Sequence, residues 1–213
     1  TVRTPLLKVL QKHRKSFTLA AVLAAAFSIY LYVGNIFYAG FLIHSAHLLS
    51  YQAKLVVTVG TLFVVLFFPL MARLADRIGG TKLIRLGFLL IILVGPALYL
   101  IALTHSLTLI LLIQVFYAIA DAMVGAPLFR FINGLFPASV RYTGASFSWS
   151  ASMALFAGTA PLLSAWLETR THLSYAPALY ISLAGMVGLL SLTYATRTAK
   201  QGNDDAATET LGL

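Results

Sequence analysis

Long uncharged apolar runs alternate with short clusters of charge along this chain, a pattern that predicts helices of membrane-spanning length. The runs fall at 17–43, 53–71, 86–103, 107–129, 143–167 and 177–194, so residues 17–197 read as one six-helix transmembrane bundle. The first run is about 40 Å long at 1.5 Å per residue, so it tilts in or overhangs a hydrocarbon core of about 30 Å. Proline and glycine punctuate the rest. Pro69 is expected to close the second span, Gly95-Pro96 to kink the third, Gly125-Ala126-Pro127 to flex the end of the fourth, and Gly158 to Pro161 to bend the fifth. Small residues at Ser146, Ser150, Ala154, Ala157 and Gly158 give the fifth span a face for close helix contact. Two flanks differ from the bundle: residues 1–16 form a basic linker expected along the membrane surface, and residues 198–213 a polar, acidic tail expected to be disordered.

Composition agrees with this pattern: 60% of residues are hydrophobic and 10% charged, with a mean hydropathy of +0.89. The expected fold class is an all-α membrane protein. Zero cysteines exclude disulfides, Cys-ligated metal and a thiol nucleophile. The net charge of +9 alone would suit nucleic acid, but the cations stand at segment ends rather than on a soluble face. Of the 15 Lys and Arg, 13 lie in 1–16, 72–85, 130–142 and 195–213, leaving Lys54 and Arg170 on the opposite side. That asymmetry predicts both termini in the cytoplasm; the expected location is the plasma membrane, a bacterial inner membrane, with no nucleic-acid partner. The chain opens on Thr1 and a basic stretch unlike a signal peptide, so its start is expected to be the middle of a larger protein.

Candidate chemistry centres on Asp121, the one acid well inside an apolar run. An ionised Asp at mid-membrane costs about 2.5–3.5 kcal/mol, so such a side chain is expected to face a polar interior and to have a function. Gln114, Tyr117, Asp121 and Gly125 share one helical face, a polar stripe that suggests a water-filled pathway; the alternative is an Asp buried in the bundle and satisfied by hydroxyls or a cation. Tyr30, Gly34 and Tyr38 recur every four residues in the first span beside Asn35, a second polar-aromatic face suited to lining a cavity. Trp149, inside the fifth span, is a gate or substrate-stacking ring, or else a packed or lipid-facing aromatic. His44 and His47 invite a metal reading, but no third ligand stands near them, and no metal or cofactor is expected. Glu168 and Arg170 read as a solvated pair. An intramembrane enzyme finds little support: Gly144-Ala145-Ser146 lacks the Gly of a nucleophile motif, no His falls at mid-membrane, and Asp121 has no second Asp.

Two strings carry a resemblance. Between the second and third spans, Leu74, Asp76, Arg77, Gly79 and Lys82 match the loop signature of the major facilitator superfamily, with Ala72 in place of the usual Gly and Gly80 where Arg is common. LFPASVRYTGASFSWS, from Leu135 to Ser150, is similar to the metabolite:proton symporter branch of that superfamily; Gly134 stands where many members carry Glu. The resemblance implies the C-terminal six-helix half of a twelve-helix fold, lacking its N-terminal half, with the first and fourth helices lining a central cavity. It further implies a secondary transporter, not an enzyme, in which a proton and a small organic acid, zwitterion or osmolyte move by alternating access. Asp121 would pair with proton or substrate, with Asn35, Tyr30, Tyr38, Gln114, Tyr117 and Trp149 as contacts. Asp76, Arg77, Gly79 and Arg141 would form a cytoplasmic latch. The alternative is a self-sufficient six-helix protein, either a dimeric transporter or a non-transporting sensor.

Overall fold

Apolar sequence with no water to bond its backbone forms helix, because only a helix satisfies every peptide group within one spanning segment. The computed structural model describes the backbone from Pro5 to Leu211 and side chains from residue 9 to residue 198. Within these limits the protein is all-α, without a strand among the described residues. A short helix α1 (Pro5–Lys12) precedes six helices long and apolar enough to cross a membrane: α2 (Arg14–His44), α3 (Ser50–Ile78), α4 (Gly80–Ala102), α5 (Leu107–Gly134), α6 (Arg141–Thr171) and α7 (Ala176–Leu211). The apolar part of α7 ends at Thr198, and the tail expected to be disordered lies largely outside the described side chains.

Most helices outrun their apolar runs, by seven residues at the charged end of the second span (71 to 78), because charged residues extend a helix past the hydrocarbon without breaking it. Pro69 does not close the second span: α3 continues through it to Ile78. Pro96, Pro127 and Pro161 likewise lie inside helices. Two spans carry a π-helical turn, Val33–Phe37 in α2 and Met153–Ala157 in α6, the second just before Pro161. A single residue, Gly79, separates α3 from α4; its φ of 94° is open to glycine and strained for a residue with a Cβ. At the opposite end, His47, His105 and His172 each take the left-handed conformation in a connecting loop.

In the bundle α5 packs against α3 and α4, α4 against α7, α7 against α2, and α2 against α6. Close approach of α4 and α7 depends on small residues: at Gly188 the ring of Phe88 lies where a Cβ would be. The spans α3 and α6 are the most outward-facing, carrying exposed Leu62, Val65, Leu66, Leu155 and Leu162.

Candidate functional site

The π-turn of α2 sets the local geometry. Widening the helix at Val33–Phe37 swings Gly34 toward α5, where the ring of Tyr117 occupies the space a Cβ would need. Tyr117 stacks on Tyr30, with centroids 4.7 Å apart and planes at 28°. The Tyr30 hydroxyl donates to the Tyr117 carbonyl at 2.8 Å, and the Asn35 amide donates to the Tyr117 hydroxyl at 2.5 Å and to the Leu31 carbonyl at 3.1 Å. Three of the expected residues, Tyr30, Asn35 and Tyr117, thus join the first and fourth spans.

A second aromatic layer lies one turn further along α2. Tyr38 donates to the Leu98 carbonyl at 3.2 Å and meets Tyr99 edge-on at 5.5 Å. Tyr99 donates to the Val33 carbonyl at 3.1 Å, and the same carbonyl takes the Tyr38 amide across the π-turn. Sequence reading did not single out Tyr99; its signal is a lone hydroxyl three residues past Pro96 in an otherwise apolar span.

Asp121 lies one turn along α5 from Tyr117 and is 3% exposed. Its carboxylate makes no hydrogen bond or ion pair among the described residues. Gln114, fully buried on the same face, packs against Gly60 of α3 with both amide atoms unpartnered, and the Asn35 carbonyl oxygen is unpartnered as well. Gly125 faces the rings of Phe27 and Phe68. The polar stripe of the fourth span therefore faces the bundle interior rather than an open channel within this chain. Buried polar atoms almost always have partners, so this much unpaired capacity on one face is what a proton, a water or a polar solute group would satisfy.

Other expected residues lie elsewhere. Trp149 packs between Phe27 at 6.4 Å and Phe129 at 5.9 Å, an aromatic contact apart from the stacked Tyr30–Tyr117 pair. Of the latch set, Asp76 accepts from Arg130 at 2.9 Å across the ends of α3 and α5, the one ion pair among the described residues. Arg130 was not in that set. Arg141 donates to the Phe136 carbonyl at 3.2 Å, capping its own turn, and Arg77 is exposed at the end of α3. Beside the Asp76–Arg130 pair, a cleft of about 730 Å³ runs between Gly79-Gly80, Pro127 and Thr196. Glu168 and Arg170 do not pair: Glu168 accepts from Ser45 at 3.1 Å and Arg170 lies over the Trp166 ring at 5.9 Å. His47 stacks on His105, whose Nδ1 is 2.8 Å from the Ala46 carbonyl. No three His, Cys, Asp or Glu among the described residues come together to hold a metal.

The chain is similar to curated transporters. It is 26% identical over 193 residues to the glycine betaine/proline/ectoine/pipecolic acid transporter OusA of Dickeya dadantii, covering 89% of this chain and 38% of that protein. It is 30% identical over 147 residues to the ectoine/proline transporter ProP of Corynebacterium glutamicum, covering 68% of this chain and 29% of the relative. Over a shorter stretch of 75 residues it is 44% identical to the inner membrane metabolite transport protein YhjE of Escherichia coli, 33% of this chain and 16% of that one. The chain thus spans well under half the length of these relatives. No protein-family profile and no solved structure matches it. Six apolar helices define a multi-pass membrane protein, and the relatives it resembles are solute transporters. More particularly, the relatives it resembles are named for the transport of proline, betaine and ectoine.

Proposed function

We propose that this chain is the C-terminal six-helix half of a secondary active transporter that couples a proton to a small zwitterionic osmolyte or organic acid by alternating access. The observation that carries the reading is Asp121: a carboxylate in a spanning helix, 3% exposed, without a hydrogen-bond or ion-pair partner among the described residues, one turn from a tyrosine that ties the first and fourth spans together. A group so situated exchanges a proton or pairs with a solute cation as the bundle changes shape. The relatives named for betaine, proline and ectoine support a zwitterion as cargo. The outward face of α3 suits contact with an N-terminal half, and the cation asymmetry suits cytoplasmic termini in a bacterial inner membrane. The test is uptake of labelled betaine, proline, ectoine and small organic acids by the full-length gene product in proteoliposomes under an inward proton gradient. Accumulation that a protonophore collapses is expected; uptake indifferent to the gradient would replace the symporter by a facilitator.

A further inference from the structure

Well away from the Tyr30–Tyr117 pair, α2, α6 and α7 leave an elongated groove of about 430 Å³ on the bundle surface. Its origin is the small-residue run at 20–26, AAVLAAA, which leaves α2 thin where Ala21, Val22 and Ala25 form the floor. Leu155, Phe156 and Leu183 form an exposed rim. The wall is mostly apolar: the Ser152 hydroxyl donates to the Ala21 carbonyl at 2.7 Å, and the remaining hydroxyls are Thr18, at the charged end, and Tyr180 on α7. From Phe17 to Ile29 the floor is about 18 Å long at 1.5 Å per residue, close to the depth of one leaflet of a hydrocarbon core of about 30 Å.

The end of the groove at Phe17 and Thr18 is cationic. Arg14 precedes Thr18, Ala21 and Ala25 at helical spacings of four, seven and eleven, and Lys15 precedes Thr18 and Val22 at three and seven. Both cations are exposed and share helical spacing with the groove floor; Arg14 donates from Nε to the Leu10 carbonyl at 2.9 Å, which leaves its terminal nitrogens for a ligand, and exposed Lys12 stands just before them. No acid precedes Asp76 in the sequence, and Asp76 is paired with Arg130.

We propose that this groove binds an anionic glycerophospholipid, one acyl chain lying along Thr18 to Ile29 and the phosphate of the headgroup held by Arg14 and Lys15. Apolar length and terminal charge coincide on one helix face, which a neutral lipid uses only in part. Two cations at an anionic headgroup favour it by roughly tenfold or more over a zwitterionic one.

The test is native mass spectrometry of the detergent-purified full-length gene product, titrated with phosphatidylglycerol and with phosphatidylcholine of the same chains. Phosphatidylglycerol is expected to bind about tenfold tighter. The Arg14→Gln/Lys15→Gln variant, changed only at exposed positions, should bind both lipids equally. Leu183→Trp, which fills the groove from its rim, should weaken both. Equal affinity in the unaltered protein, or an undiminished preference in the double variant, would overturn the proposal. So would competition by glycerol phosphate without acyl chains, which would make this a soluble phosphate site. Lipid stoichiometry is read without transport, so the outcome is independent of the role of Asp121.

Discussion

At Gly34 the α2 backbone meets the Tyr117 ring so closely that any side chain there overlaps it. Gly34→Val is therefore expected to destabilise the bundle by about 1–3 kcal/mol, as overpacking does, seen as a lower midpoint in scanning calorimetry. Pairing it with Tyr117→Ala should cost less than the sum of the two single changes, because the clash disappears with the ring. Tyr30→Phe removes only the hydrogen bond to the Tyr117 carbonyl and leaves the stacked ring, an expected loss of about 0.5–1.5 kcal/mol in the same measurement. Tyr30, Asn35, Gln114, Tyr117 and Asp121 were legible in the sequence because a polar atom in an apolar span needs a reason, and helical spacing put them on shared faces. Tyr99 was not. A lone tyrosine in a span reads as packing, and its partner, the Val33 carbonyl, is presented by a π-turn that no local residue pattern announces.

The six spans were legible as elements because uninterrupted apolarity leaves few alternatives, whereas their ends were not. Pro69 looked like a terminus, yet the helix gives up one backbone hydrogen bond and continues, carrying Asp76 to the end of α3, where it meets Arg130 of α5. That contact joins residues 54 apart and depends on how far each helix extends past its apolar run, which hydropathy does not report. With side chains 85% and 67% exposed, the pair belongs to the class worth about 0–1 kcal/mol. Asp76→Ala is accordingly expected to leave the unfolding midpoint nearly unchanged. If the pair acts as a latch, single replacements at Asp76 or Arg130 reduce uptake, and the Asp76→Arg/Arg130→Asp exchange restores much of it. An exchange that restores nothing would remove the pair from the transport cycle.

For the whole molecule, the polar face of the fourth span lies inside the six-helix bundle, where sequence periodicity alone could not distinguish an interior face from one lining an open channel. The orientation in the membrane is directly accessible, because the chain has no cysteine of its own. Single cysteines at the exposed positions Thr171 and Thr198 should react differently with an impermeant maleimide: Thr171→Cys in intact cells, Thr198→Cys only after permeabilisation. The opposite order would invert the topology. The most direct test of the central claim compares Asp121→Asn with the unaltered full-length protein in proteoliposomes, measuring both proton-driven accumulation and solute exchange at equal pH. Asn keeps the shape and removes the titratable group. If Asp121 couples the proton, accumulation falls at least tenfold while exchange persists; accumulation at the unaltered level would contradict the coupling role.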